Sequence, residues 1–183
     1  MNYSLRMTGS QYLLLNSHLF PGDGKEAVAL LLCGRRNGES RHIFTVNKVV
    51  PIPHDSCTRE FDHVTWPTDF VDQAIADCYT SHQAIIKIHS HPGYYSRFSE
   101  ADDESDFATF DAISSLLDDG LPHASVVMLP DGSMFGRVLI DGLPCGELSM
   151  IQVTGDELRF FSPTHSMKVG AFAERHAQAF GKG

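Results

Sequence analysis

The chain has 183 residues, 42% of them hydrophobic and 20% charged, the proportions of a soluble globular protein large enough for a substantial core. A net charge of −9 argues against non-specific nucleic-acid binding and favours partners with basic patches. No run reaches the ~18 apolar residues of a membrane span, and no charged-then-apolar leader opens the chain, so the expectation is one cytoplasmic domain over residues 1–183 with no membrane or nucleic-acid partner.

In chain order, Gln11 to Leu15 is a short apolar run, readable as a strand or a helix turn. A turn cluster at Phe20–Gly24 precedes Glu26 and the run Ala27–Gly34. That run is short, partly β-branched and bounded by glycine, which predicts a buried strand. Arg36–Glu39 is a hairpin turn leading to a strand from about His42 to Val50. Ile52 to Thr65 reads as irregular. Pro67 marks a helix start, and Phe70, Val71, Ala74, Ile75, Cys78 and Tyr79 share one face of a helix ending near His82. Ala84–Ile88 is a strand and 92–98 a loop. Ser99 opens a second helix with Phe107, Phe110, Ile113, Leu116 and Leu117 as its apolar face, stopped by Gly120 and Pro122. Ala124–Leu129 and Met134–Ile140 form a hairpin around Pro130–Ser133, Leu148–Val153 and Glu157–Phe161 another, and Met167–Phe180 a C-terminal helix. Helices between strands predict a mixed α/β or α+β sandwich. Cys33, Cys57, Cys78 and Cys145 lie far apart with no CxxC pair, as expected of reduced thiols.

The residues that carry chemistry are His89-Ser90-His91-Pro92, then Ser99 and Asp102. Histidines two apart on an extended segment point to one side. Two imidazoles and a carboxylate are the ligand set of a catalytic zinc whose fourth position is left to water. Each residue also has a plainer reading. The histidines can be satisfied polar groups at a strand end, Asp102 a first-turn charge on the helix dipole and, with equal weight, Ser99 a helix N-cap. His54, His63 and His82 read as surface or supporting residues, and Asp103, Glu104 and Asp106 as a solvated helix face, with a basic substrate tail as the alternative use of those acids.

Glu26 before an apolar strand, followed by His89-x-His91-Pro92, Ser99 and Asp102, resembles the JAMM (JAB1/MPN/Mov34) zinc metalloprotease family, over about residues 10–145. The resemblance implies a curved mixed sheet flanked by helices, a cytidine-deaminase-like sandwich, with zinc at one edge. It implies one zinc per chain on His89, His91 and Asp102, with Glu26 contacting the water and Ser99 facing the scissile carbonyl. It further implies an isopeptidase or peptidase that cuts after the C-terminal tail of a ubiquitin or ubiquitin-like protein, as in bacterial conjugation or antiphage systems. The alternatives are a sulfur-carrier-releasing peptidase and a binding module that recognises a ubiquitin-like protein without cutting it. Lys87-Ile88 replaces the aromatics common before His89 in deubiquitinases of the family, and the loop 93–98 is this chain's own. Residues 174–181 are similar to the segment that leads into a ThiF-like activating domain in bacterial fusion proteins, which would make that domain a partner.

Overall fold

The computed structural model describes residues 1–163 and 165–168. It begins with a strand where no element was expected, β1 (Asn2–Thr8), followed by helix α1 (Gly9–Leu19). Thr8 caps α1: its Oγ1 accepts the Gln11 N–H at 3.2 Å, and Gln11 Oε1 accepts the Thr8 N–H at 2.8 Å. The run Gln11–Leu15 is therefore helix, with Tyr12, Leu15 and Leu19 buried and Leu13 and Leu14 exposed.

Strands β2 (Val28–Asn37) and β3 (Arg41–Pro51) follow. The stretch read as irregular contains a 3₁₀ turn at His54–Ser56 and a two-stranded ribbon, β4 (Thr58–Arg59) with β5 (Val64–Thr65). Then come α2 (Asp69–Cys78), β6 (Ala84–Ser90), α3 (Glu100–Leu117), β7 (His123–Met128), β8 (Met134–Ile140), β9 (Leu143–Thr154), β10 (Arg159–Ser162) and β11 (His165–Lys168). Helix α2 stops before Tyr79, which is exposed. Helix α3 stops two residues before Gly120, at Asp118 in the left-handed conformation (φ 46°). The expected C-terminal helix is corrected at its start, where 165–168 pair with β10 as strand; its remainder, and residues 174–181, lie outside the described residues.

The sheet is mixed and runs β1-β3-β2-β6-β7-β8-β9-β10-β11. β1 pairs in parallel with β3 on one side and with β9 on the other, so the sheet closes on itself; Leu5 faces Phe44 in one register and Ile151 in the other. Alternation along the strands then sorts the core. Ala29, Leu31, Ile86 and Ile88 join α1 on one face, and Val28, Leu30 and Ile85 join α2 and α3 on the other. The expected apolar face of α3 is only partly right. Phe110 and Ile113 are buried, whereas Phe107 and Leu116 are exposed and the buried stripe includes Asp102 and Asp106.

Candidate metal centre

The site forms where β2 begins and β6 ends. They pair antiparallel with Val28 opposite His89, which brings Glu26, just before β2, beside the histidine segment. Ser90 locks this register: its N–H donates to the Ala27 carbonyl at 3.0 Å, and its Oγ accepts the Ala27 N–H at 2.9 Å. Arg59 holds the approach to β2 from the far side, donating to the Glu26 carbonyl at 2.7 Å and to the Asp23 carboxylate at 2.8 and 3.2 Å.

Helix α3 begins against this strand end. Ser99 is its N-cap. Ser99 Oγ accepts the Asp102 N–H at 3.1 Å, and Asp102 Oδ2 accepts the Ser99 N–H at 2.7 Å and the Ser99 hydroxyl at 2.9 Å. The carboxylate so fixed meets both imidazoles. His89 Nε2 lies 2.8 Å from Asp102 Oδ1, His91 Nε2 3.3 Å from Asp102 Oδ2, and the two Nε2 atoms are 3.0 Å apart. Glu26 Oε1 stands behind them, 3.9 Å from His91 Nε2.

The donors fit a bound cation. His91 Nδ1 is 2.6 Å from the Tyr95 carbonyl, which can only accept, so Nδ1 carries a proton and Nε2 is the nitrogen left to take a metal. Nε2 is aimed at another imidazole nitrogen and a carboxylate, where a shared cation can take the place of a bridging proton. Ligands held tetrahedrally at about 2.0–2.2 Å lie about 3.3–3.6 Å from one another; the observed spacings of 2.8, 3.0 and 3.3 Å are at or somewhat below that, so the three groups need only spread slightly to admit an ion. Among the described residues, His89, His91 and Asp102 are the group that could hold a metal ion, and all three are buried.

Electrostatics point the same way. Burial lowers the pKa of His89, keeping it neutral. Burial works against ionisation of Asp102, but the hydrogen bonds from His89 and His91 outweigh it and hold the carboxyl well below its ordinary range. Burial also disfavours a charged His91, yet the bonds to Asp102 and Tyr95 leave its pKa raised. Glu26 is the opposite of Asp102: burial pushes it up to about 7, with His91 pulling down and the Asp102 charge pushing up. Two carboxyl groups side by side thus differ in charge: Asp102 is an anion, and Glu26 gains or loses its proton near neutral pH.

A cleft of about 330 Å³, lined by Glu26, Phe61, Asp62, His91, Gly93 and Ser99 among others, opens beside these groups. Phe61, from the β4–β5 turn, lies so close over Gly93 that a Cβ there would sit 2.7 Å from the ring. His54 stays outside, bonded to the His18 carbonyl at 3.0 Å, and His63 lines a groove between α2 and α3. Asp106 is corrected: it is not solvated but buried between Lys87 and Arg137. Arg59 and Tyr95 were not singled out from the sequence. Both act through a backbone carbonyl, theirs or another's, and no side-chain pattern announces such a bond.

A sheet-dominated α/β fold and a buried His-His-Asp group able to hold a metal at a strand end define the class of protein. The chain belongs to the family described as prokaryotic homologs of the JAB domain, which matches residues 12–138. It is also similar to the solution structure of protein DSY2949 from Desulfitobacterium hafniense, at 18% identity with a TM-score of 0.52, covering 83% of this chain and 94% of that one; the likeness is one of fold. No curated protein matches the chain. Among the described residues no helix is long and apolar enough to cross a membrane.

Proposed function

We propose that this protein is a zinc-dependent peptidase that cuts after the C-terminal tail of a ubiquitin-like protein, either from a conjugate or from a precursor. The observation that carries the reading is the convergence of a tautomer-locked His91, a neutral His89 and an anionic Asp102 on one point, with a protonatable Glu26 beside it. His89, His91 and Asp102 would hold the ion. When bound, zinc supplies Lewis acidity, polarising a carbonyl and making water nucleophilic at neutral pH. Glu26 takes the proton from the attacking water at its carboxylate and returns it to the leaving amine. Ser99, on the rim of the cleft, turns its hydroxyl from Asp102 to the carbonyl oxygen as charge grows there. Asp102 holds the two imidazoles in place throughout.

The cleft supports a tail that enters extended and is small at the cut, because Phe61 packed on Gly93 leaves little width. Family membership supports the peptidase class, which the JAB domain family includes. The test has two parts. Elemental analysis of the purified protein is expected to give about one zinc per chain and His91→Ala to lose it; full retention of zinc by His91→Ala would sink the metal centre. Ubiquitin-like fusions ending in two glycines are then the substrates, and a large residue in place of the last glycine is expected to block cleavage. Binding of such a fusion without cleavage, with zinc present, would make the protein a recognition module instead.

A further inference from the structure

Lys87 lies in the middle of β6 with its side chain only 2% exposed, and Asp106, one turn beyond Asp102 on α3, is 1% exposed. Buried charges are costly unless paired, and these two are in direct contact. The pair is fully dressed. Lys87 Nζ also donates to Ser105 Oγ at 3.2 Å and stands 5.6 Å from the Trp66 ring centre. Asp106 accepts from Ser125 Oγ at 3.0 Å and from Arg137 Nε and Nη2 at 2.9 and 2.7 Å. Arg137 in turn pairs with Asp103 and covers the Phe98 ring at 4.0 Å; that ring meets Phe135 edge to face and leans on His89.

We propose that Lys87 and Asp106 are positioning residues that set the register of α3 against β6 and so hold Asp102 on the two histidines before any metal arrives. Residues 87 and 89 share one face of the strand, and 102 and 106 one face of the helix. Strand and helix run in opposite directions. A two-residue strand step is about 6.7 Å and a four-residue helical step about 6.0 Å, so Lys87–Asp106 and His89–Asp102 are successive rungs of one ladder. Apolar contact between helix and sheet is non-directional and tolerates sliding; a hydrogen-bonded ion pair does not. Serine and arginine from β7 and β8 fix the lower rung, and the upper rung is then in place for a ligand.

The inference rests on the metal-centre reading, and its test separates the two. Lys87→Met/Asp106→Leu replaces the rung by apolar side chains of similar volume and leaves Arg137 its pair with Asp103; replacing both members of a buried ion pair in this way is often near neutral for stability. The expected result is an apo protein that unfolds cooperatively close to the wild-type midpoint but binds zinc about 10- to 100-fold more weakly, as when the support of a ligand is lost, read by competition against a chromophoric chelator. Arg35→Met/Asp119→Leu removes a buried ion pair elsewhere in the chain and is expected to leave zinc affinity unchanged. If the first variant does not fold, Lys87→Met alone, which removes the strand half of the rung and leaves Asp106 paired with Arg137 and Ser125, takes its place with the same expectation. Wild-type affinity in the rung variant, or an equal loss in both double variants, overturns the proposal while leaving the metal centre standing. Failure of the wild-type chain to bind zinc at all overturns both.

Discussion

Glu26 joins the site only through the pairing of β2 with β6, and that pairing leaves it buried but unligated, 3.9 Å from His91. Its carboxyl, pushed up to about 7 by burial, can accept and release a proton without leaving its place. Glu26→Gln keeps the volume and removes the proposed base. The expected outcome is unchanged folding and zinc content with turnover reduced about 100-fold or more, the usual loss for a general base. Substrate binding is expected to survive, so the variant is suited to trapping the proposed ubiquitin-like substrate. Wild-type turnover by Glu26→Gln would move the base elsewhere. Ser99 has a visible second task, since its hydroxyl and N–H both bind the Asp102 carboxylate. Ser99→Ala is therefore a poor probe of oxyanion stabilisation alone.

Among the elements, β6 and the start of α3 were legible because their residues are local. His89, His91, Ser99 and Asp102 fall within one strand, one loop and one cap. The same locality hid the rest. Acidic residues follow one another along α3, and which of them is buried is decided by Lys87 and Arg137, brought in from β6 and β8. The Leu13-Leu14-Leu15 run has no clean helical period because two of the three face outward; the Thr8-x-x-Gln11 capping box was the sign that it starts a helix. β1 was invisible because both its partners lie far along the chain. The β7–β8 turn was read correctly, and it makes its own demand. Gly132 has φ +79°, its carbonyl accepts from Tyr12 Oη at 3.0 Å, and a Cβ there would fall 2.0 Å from that oxygen. Gly132→Ala is expected to lower stability by more than ~1 kcal/mol, measured by urea unfolding; an unchanged midpoint would show that α1 and the turn do not constrain one another.

At the scale of the molecule, polar groups are also buried away from the metal centre. Arg35 binds the carbonyls of Pro122 and Gln83 and the Asp119 carboxylate, and His123 receives the Ile85 N–H at 3.0 Å. Burial works against the charge on Asp119, but His123, the Leu121 N–H and Arg35 together hold its pKa at about 2. An unfolded aspartate titrates near ~3.9. The folded state therefore binds the proton less readily, and the stability this gives is present above about pH 4 and lost as pH falls toward about 2. The gap in urea midpoint between wild type and Asp119→Asn is expected to be open at pH 6 and largely closed by about pH 2.5; a gap that does not narrow would mean that the carboxylate charge contributes nothing.

Closure of the sheet by β1 has a consequence in time. β1 is made long before its second neighbour: Ser149 on β9 bonds the Tyr3 carbonyl across 146 positions of chain. At ~5–20 residues per second of synthesis, β1 waits on the order of ten seconds for β9 to be made. Until then the seam of the barrel is an unpaired edge, able to recruit other strands. Loop closure over such a span is slow, so the last event in folding is expected to be the sealing of that seam, well after β6 and α3 have met. The nascent protein can carry an assembled His-His-Asp centre while its N-terminal strand is still looking for its second partner.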